Sequence, residues 1–145
     1  MLDHLRFFLD NVLFNCAYYI SIKTLFKLEG DDQKCAFLMT LKDSVILSLC
    51  GMLYTIGLLS TEDSQLRIIV FFQAHLVTDL LIGYFEYYPR MLGIEGVYHH
   101  IVYIIGNVLA YYRPADREIF LLYLIEEIPT FIRALGTIKP EYRSD

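Results

Sequence analysis

"IIVFFQAHLVTDLLIGYFEYY", Ile68 to Tyr88, is the stretch on which the fold turns. At 1.5 Å per helical residue it is long enough to cross a hydrocarbon core of roughly 30 Å. It is apolar around most of a helix rather than along one stripe, which is not how a soluble bundle presents a surface helix. Eleven of its residues are Ile, Val, Leu or Phe, each favouring insertion by roughly 0.3–0.6 kcal/mol at a membrane centre. Asp79 opposes by about 3 kcal/mol, and His75 and Glu86 add to the cost. The sum is near zero. Such a helix is stable only with its polar side turned to protein or to a water-filled cavity.

His75 and Asp79 are one turn apart, and Glu86 falls two turns beyond Asp79, so the three share roughly one face. Two readings stand side by side. The face lines a polar cavity, or His75 and Asp79 satisfy each other inside the bundle while Glu86 sits at headgroup level. Gly83, near the same face, admits the close approach of another helix.

Four further apolar runs flank this one. They are Phe7 to Phe26, Val45 to Leu59 with a lead-in from Ala36, His100 to Tyr112, and Ile119 to Leu135. The connectors "KLEGDDQK", "STEDSQLR", "PRMLGIEG" and "RPADRE" hold the Gly, Pro, Asp and charge that mark loops. The expected architecture is all-α: one domain over residues 1–145, a multi-pass transmembrane bundle of about five spanning helices. The fourth run is short for a span unless it borrows Val97 to His99 or lies tilted in the bundle. A soluble helical bundle using the same runs as its core is the competing fold.

Composition agrees. The 145 residues are 56% hydrophobic and 20% charged, and a net charge of -5 with no strong basic block gives no support to a nucleic-acid role, which needs a concentrated basic footprint. Cys16, Cys35 and Cys50 show neither a disulfide framework nor CxxC spacing, and Cys16 and Cys50, in apolar stretches, read as small buried hydrophobes. No cofactor and no metal is expected, since neither HExxH nor HxxxH occurs. The N-terminus lacks a basic region and a small-residue cleavage site, so a removed signal peptide is not expected.

Two polar clusters remain. In "GVYHHIVYIIGNVLAYY", His99 and His100 open the fourth run and point about 100° apart on a helix. By position they are interfacial residues; by their relation to Asp79 and Glu126 they are candidates for a cavity site. In "LLYLIEEIPTFIRAL", Pro129 removes a backbone hydrogen bond and favours a kink near Ile125. Either a kinked helix presents Glu126 to the histidines, or the helix ends there and "EEIPTFIR" lies at the interface.

The order of these pieces resembles the TLC-domain family of multi-pass membrane proteins, named for the TRAM, Lag1 and CLN8 proteins. The resemblance rests on "HLVTDLLIGYF", "GVYHHIVYIIGNVLAYY" and "LLYLIEEIPTFIRAL", and is strongest over residues 34–135. It implies an integral, multi-pass protein of an endoplasmic-reticulum-type membrane, with membrane lipids as partners. It carries catalytic roles to His99, His100 and Asp79 and a cavity-lining role to Glu126, beside His75 and Glu86, which the shared helix face already offers as cavity-lining residues. In the ceramide-synthase branch, paired histidines serve N-acyl transfer from acyl-CoA to a sphingoid base. One histidine would then be base or nucleophile, with Asp79 orienting an imidazole. This chain lacks the synthases' second aspartate cluster and extended motif, and E-x-S-T-P-F becomes "EEIPTF". The resemblance therefore favours the smaller members, which bind, sense or adjust membrane lipids. The synthase is the alternative, and a translocation or trafficking component a further one. The family's last helices are not seen after Leu135, and a homo-oligomer or a protein partner would close the open side of the bundle.

Overall fold

A computed structural model describes residues 2–28, 31–86 and 94–138. Most of the connector "PRMLGIEG" and the tail after Ile138 lie outside the described residues. Every regular element among those described is helical. They are α1 (Leu2–Leu25), α2 (Asp32–Thr55), α3 (Glu62–Glu86), a wide helical turn (Ile94–Tyr98), α4 (His99–Tyr112), α5 (Pro114–Tyr123), a 3₁₀ turn (Leu124–Glu126) and α6 (Glu127–Ile138).

Local chemistry sets the boundaries. Asp31 caps α2 by accepting from the Lys34 N–H at 3.0 Å. Gly57, at φ 77°, ends α2 with paired reverse bonds, Gly57 N–H to Tyr54 O and Leu58 N–H to Leu53 O, both 2.9 Å. That is a Schellman stop. Lys27 adopts the same left-handed conformation after α1, with φ 53°. Pro114 opens α5 where a missing N–H costs nothing.

The fifth apolar run is one segment in the sequence and two helices in the structure. Pro129 has no N–H for the Ile125 carbonyl, and its ring crowds that carbonyl. The helix breaks into a 3₁₀ turn over Leu124–Glu126 and restarts as α6 with Pro129 in its first turn.

α3 is central, packed against α1, α2 and α4, while α2 carries α6 on its other side. One core joins Leu47 of α2, Ile68, Phe72 and Leu76 of α3, and Leu121 and Leu124 beyond. Phe72 is its aromatic hub, with ring centroids 5.6 Å from Tyr103 and 5.8 Å from Phe120. A second core joins Tyr19, Leu28, Cys35, Leu38 and Met39.

Gly51 marks the closest approach of α2 to the broken segment. A Cβ there would stand 3.0 Å from the Ile125 backbone nitrogen and 3.1 Å from Leu124 Cβ. Backbone cannot swing aside as a side-chain tip can. Gly51→Val is expected to destabilise the fold by about 1–3 kcal/mol through overpacking, despite valine's better helix propensity. Denaturation by SDS in mixed micelles measures it, and an unchanged midpoint would show that α2 and the 3₁₀ turn stand further apart.

Among the described residues two helices, Lys34–Thr55 and Glu62–Glu86, are long and apolar enough to cross a membrane. α4 spans 14 residues, or roughly 21 Å. The outer surface carries large apolar side chains, among them Leu13 at 69%, Ile20 at 63% and Ile105 at 56% exposure. Asn15, Asp43, His75, Asp79, His100 and Asn107 lie inside.

Candidate functional site: two histidine–aspartate pairs on α3

The helical period puts His75 and Asp79 on one face of α3, and both are buried. They do not pair only with each other's helix. His75 reaches to α2, where its Nδ1 lies 2.7 Å from Asp43 Oδ2. Asp79 reaches to α4, where its Oδ2 accepts from His100 Nε2 at 2.8 Å. α3 therefore carries one member of each pair, and the two pairs tie it to both neighbours.

His100 is held from both sides. Its Nδ1 is 2.9 Å from the Gly96 carbonyl. A carbonyl only accepts, so Nδ1 carries the hydrogen. The Nε2···Oδ2 contact then holds one further proton between imidazole and carboxylate, and the pair is neutral as a unit. Gly96 sits at a kink inside the turn Ile94–Tyr98, with φ -99° and ψ -112°. That kink directs its carbonyl away from the regular ladder. With both nitrogens engaged, His100 positions its surroundings. It becomes a base or nucleophile only if the bond to Asp79 opens.

His99 has the opposite environment. It is exposed, its ring centroid is 4.4 Å from that of Tyr103, and it meets His100 edge-on at 5.7 Å. Adjacent positions on a helix diverge by about 100°. One histidine consequently faces Asp79 and the other faces outward.

The Asp43–His75 pair is more enclosed. Asp43 is 1% exposed. Lys42 Nζ lies 3.1 Å from Asp43 Oδ1, donates to Asn15 Oδ1, and stands over the rings of Phe14, Tyr18 and Phe71 at 5.3, 5.2 and 5.7 Å. Cation–π contact and the neighbouring carboxylate together offset the ammonium's lost hydration. The Asp43–His75 contact is close in distance but off the hydrogen-bond direction, so neither Asp43 oxygen has a well-aligned donor among the described residues. It acts as an ion pair more than as a directed bond.

The acidic residues expected to line the cavity are placed differently. Glu86 is exposed and pairs with Lys23 of α1. Glu126 is exposed on the 3₁₀ turn, while Glu127 beside it is partly buried. A one-residue change of register at the break decides which glutamate turns inward. Asp43 and Lys42 were not among the candidates, although a signal existed. The second run needs its lead-in to reach spanning length, which places both charges inside the span. The rule that singles out Asp79 applies to them equally.

Among the described residues no group of three His, Cys, Asp or Glu side chains is arranged to hold a metal. Chemically the arrangement offers an enclosed polar seam with one outward imidazole beside it. No protein-family model, no curated protein and no solved structure matches the chain.

Proposed function

We propose that the chain is a multi-pass membrane protein of TLC-domain type that binds, senses or adjusts a membrane lipid along its polar seam. Its spans are α1, α2, α3, the Ile94–Tyr98 turn with α4, and α5 with α6, in an endoplasmic-reticulum-type membrane. The carrying observation is the inside-out distribution of polarity. Asp43, His75, Asp79 and His100 are buried, while Leu13, Ile20 and Ile105 are more than half exposed. Hydrocarbon favours that distribution and water opposes it. Exposed apolar area of this extent on a chain in water would be an association surface.

The test compares wild type with His99→Ala and with His100→Ala, each purified in nanodiscs and analysed by native mass spectrometry and lipid extraction. A specific copurifying lipid lost from a folded His99→Ala protein is the expected result. Identical lipid content in all three would remove the histidines from any lipid site. An N-acyltransferase of ceramide-synthase type is the second reading, favoured by the 2.8 Å Asp79–His100 contact. There His99 is the candidate base, acyl-CoA and a sphingoid base the substrates, and turnover rather than lipid retention is lost on His99→Ala.

A further inference from the structure

A cavity of about 250 Å³ opens between α1, α3 and α4, away from both histidine–aspartate pairs. Asn107 in its wall follows His100 by seven residues, so it shares the inward face of α4 two turns further along, roughly 10 Å away. Phe8, Ile69 and Val108 give the cavity apolar walls. At its rim His4 Nδ1 and the Tyr111 hydroxyl satisfy each other at 2.9 Å. Leu5, Val108 and Tyr112 stand exposed there, at 54%, 48% and 75%.

Two residues of this wall carry amide atoms that lie just behind its surface and have no partner among the described residues. Asn107 is 1% exposed, and neither its Nδ2 nor its Oδ1 has a partner among the described residues. Gln73 Oε1 is likewise buried without a partner among the described residues. Burying a polar group in that state destabilises a fold, and leucine would fit an apolar wall better. Polar groups placed singly in an apolar cavity are what fixes a ligand's orientation. The terminal torsion of an asparagine is broad, so its amide can turn to meet one.

The unsatisfied atoms also specify the complement. Asn107 Oδ1 and Gln73 Oε1 need at least one donor each, and the two N–H groups of Asn107 Nδ2 need at least one acceptor. A primary carboxamide has two N–H groups and one carbonyl. An ester, a carboxylate or a phosphate has no donor, and a lone hydroxyl has one. The volume lies just below the usual range of roughly 300–1,000 Å³ for a small-molecule site, which suits one chain segment and not a two-chain lipid. We infer that this cavity binds a single-chain lipid ending in a primary carboxamide, with Asn107 and Gln73 as its polar anchors. The inference rests on the membrane reading above, because the chain enters from the bilayer past Leu5 and Val108.

The test uses a palmitamide probe carrying a diazirine in its chain and a terminal alkyne, beside the matching methyl ester. Both are offered to the protein in phosphatidylcholine nanodiscs and the labelled peptides are mapped. Label on the cavity-lining peptides of α3 and α4 is expected to be about tenfold stronger for the amide, the effect of losing a pair of hydrogen bonds. Asn107→Leu is expected to bring the amide down to the ester's level while raising the melting temperature. Val108→Trp, which fills the cavity from its rim, is expected to remove both labels and provides a second variant if Asn107→Leu does not fold. Equal labelling by the two probes, or wild-type labelling of a folded Asn107→Leu protein, would overturn the assignment. Alkaline carbonate extraction of the membranes comes first. A chain released by it overturns the membrane reading and this inference together; a chain retained but without amide preference overturns the cavity assignment alone.

Discussion

Asp43→Ala is expected to destabilise the fold by about 3–5 kcal/mol, because it breaks a buried ion pair by removing one side. Asp43 is 1% exposed, 3.1 Å from Lys42 Nζ and 2.7 Å from His75 Nδ1. Its loss leaves Lys42 facing three aromatic rings and an asparagine with no counter-charge, and leaves His75 opposite a void. The double substitution Asp43→Leu/His75→Leu is expected to recover only part of the loss, since it removes the orphaned imidazole but leaves Lys42 without its counter-charge. SDS denaturation of the single and double variants in mixed micelles gives the cycle. A single-variant loss under about 1 kcal/mol would be the behaviour of a solvated surface pair and would place Asp43 in contact with water.

Arg117→Met is expected to cost about 3 kcal/mol for a different reason. The last carbonyls of a helix have no partner within it. Arg117, 5% exposed, supplies one from outside: Nε donates to Ala110 O and Nη2 to Tyr111 O, each at 3.2 Å, closing the end of α4. Each charge-assisted bond is worth about 1.5–3 kcal/mol. The third contact, Nη1 to Glu62 Oε1 at 3.0 Å, meets a side chain that is 72% exposed. Glu62→Gln is therefore expected to change stability by less than about 1 kcal/mol. Hydrogen exchange at the end of α4 separates the two roles. It should accelerate in Arg117→Met and stay unchanged in Glu62→Gln. Equal effects from both would assign the stabilisation to the ion pair instead of the cap.

The Asp79–His100 contact shows how far spacing reads a site. Asp79 stood out because an acid in an apolar run needs a partner, and the paired histidines were the available ones. Spacing does not say which histidine turns inward. The kink at Gly96 decides it, by setting the phase at which α4 begins and offering its carbonyl to His100 Nδ1. His75 shows the limit from the other side. Its nearest acid in sequence is Asp79, one turn away on the same helix. Its close partner is Asp43 on α2, because neighbours on one helix face point outward in parallel while facing helices point toward each other.

The sequence by itself determined the all-helical class, where most of the connectors fall and the inward direction of His75 and Asp79 on α3. These follow from terms local in the chain: apolar runs, cap and stop residues, and the cost of a carboxylate among hydrocarbon. It also located the break near Ile125, because a proline acts on the carbonyl four residues before it. Only the tertiary structure decided which charges meet. Arg117 sits in a stretch that composition marks as a solvated connector, yet it closes the end of α4. Glu126 and Glu127 are neighbours in the chain, yet only Glu127 is partly buried. Such pairings depend on the rotation and register of whole helices, which are set by packing at positions such as Phe72 and Gly51. No local signal carries that phase.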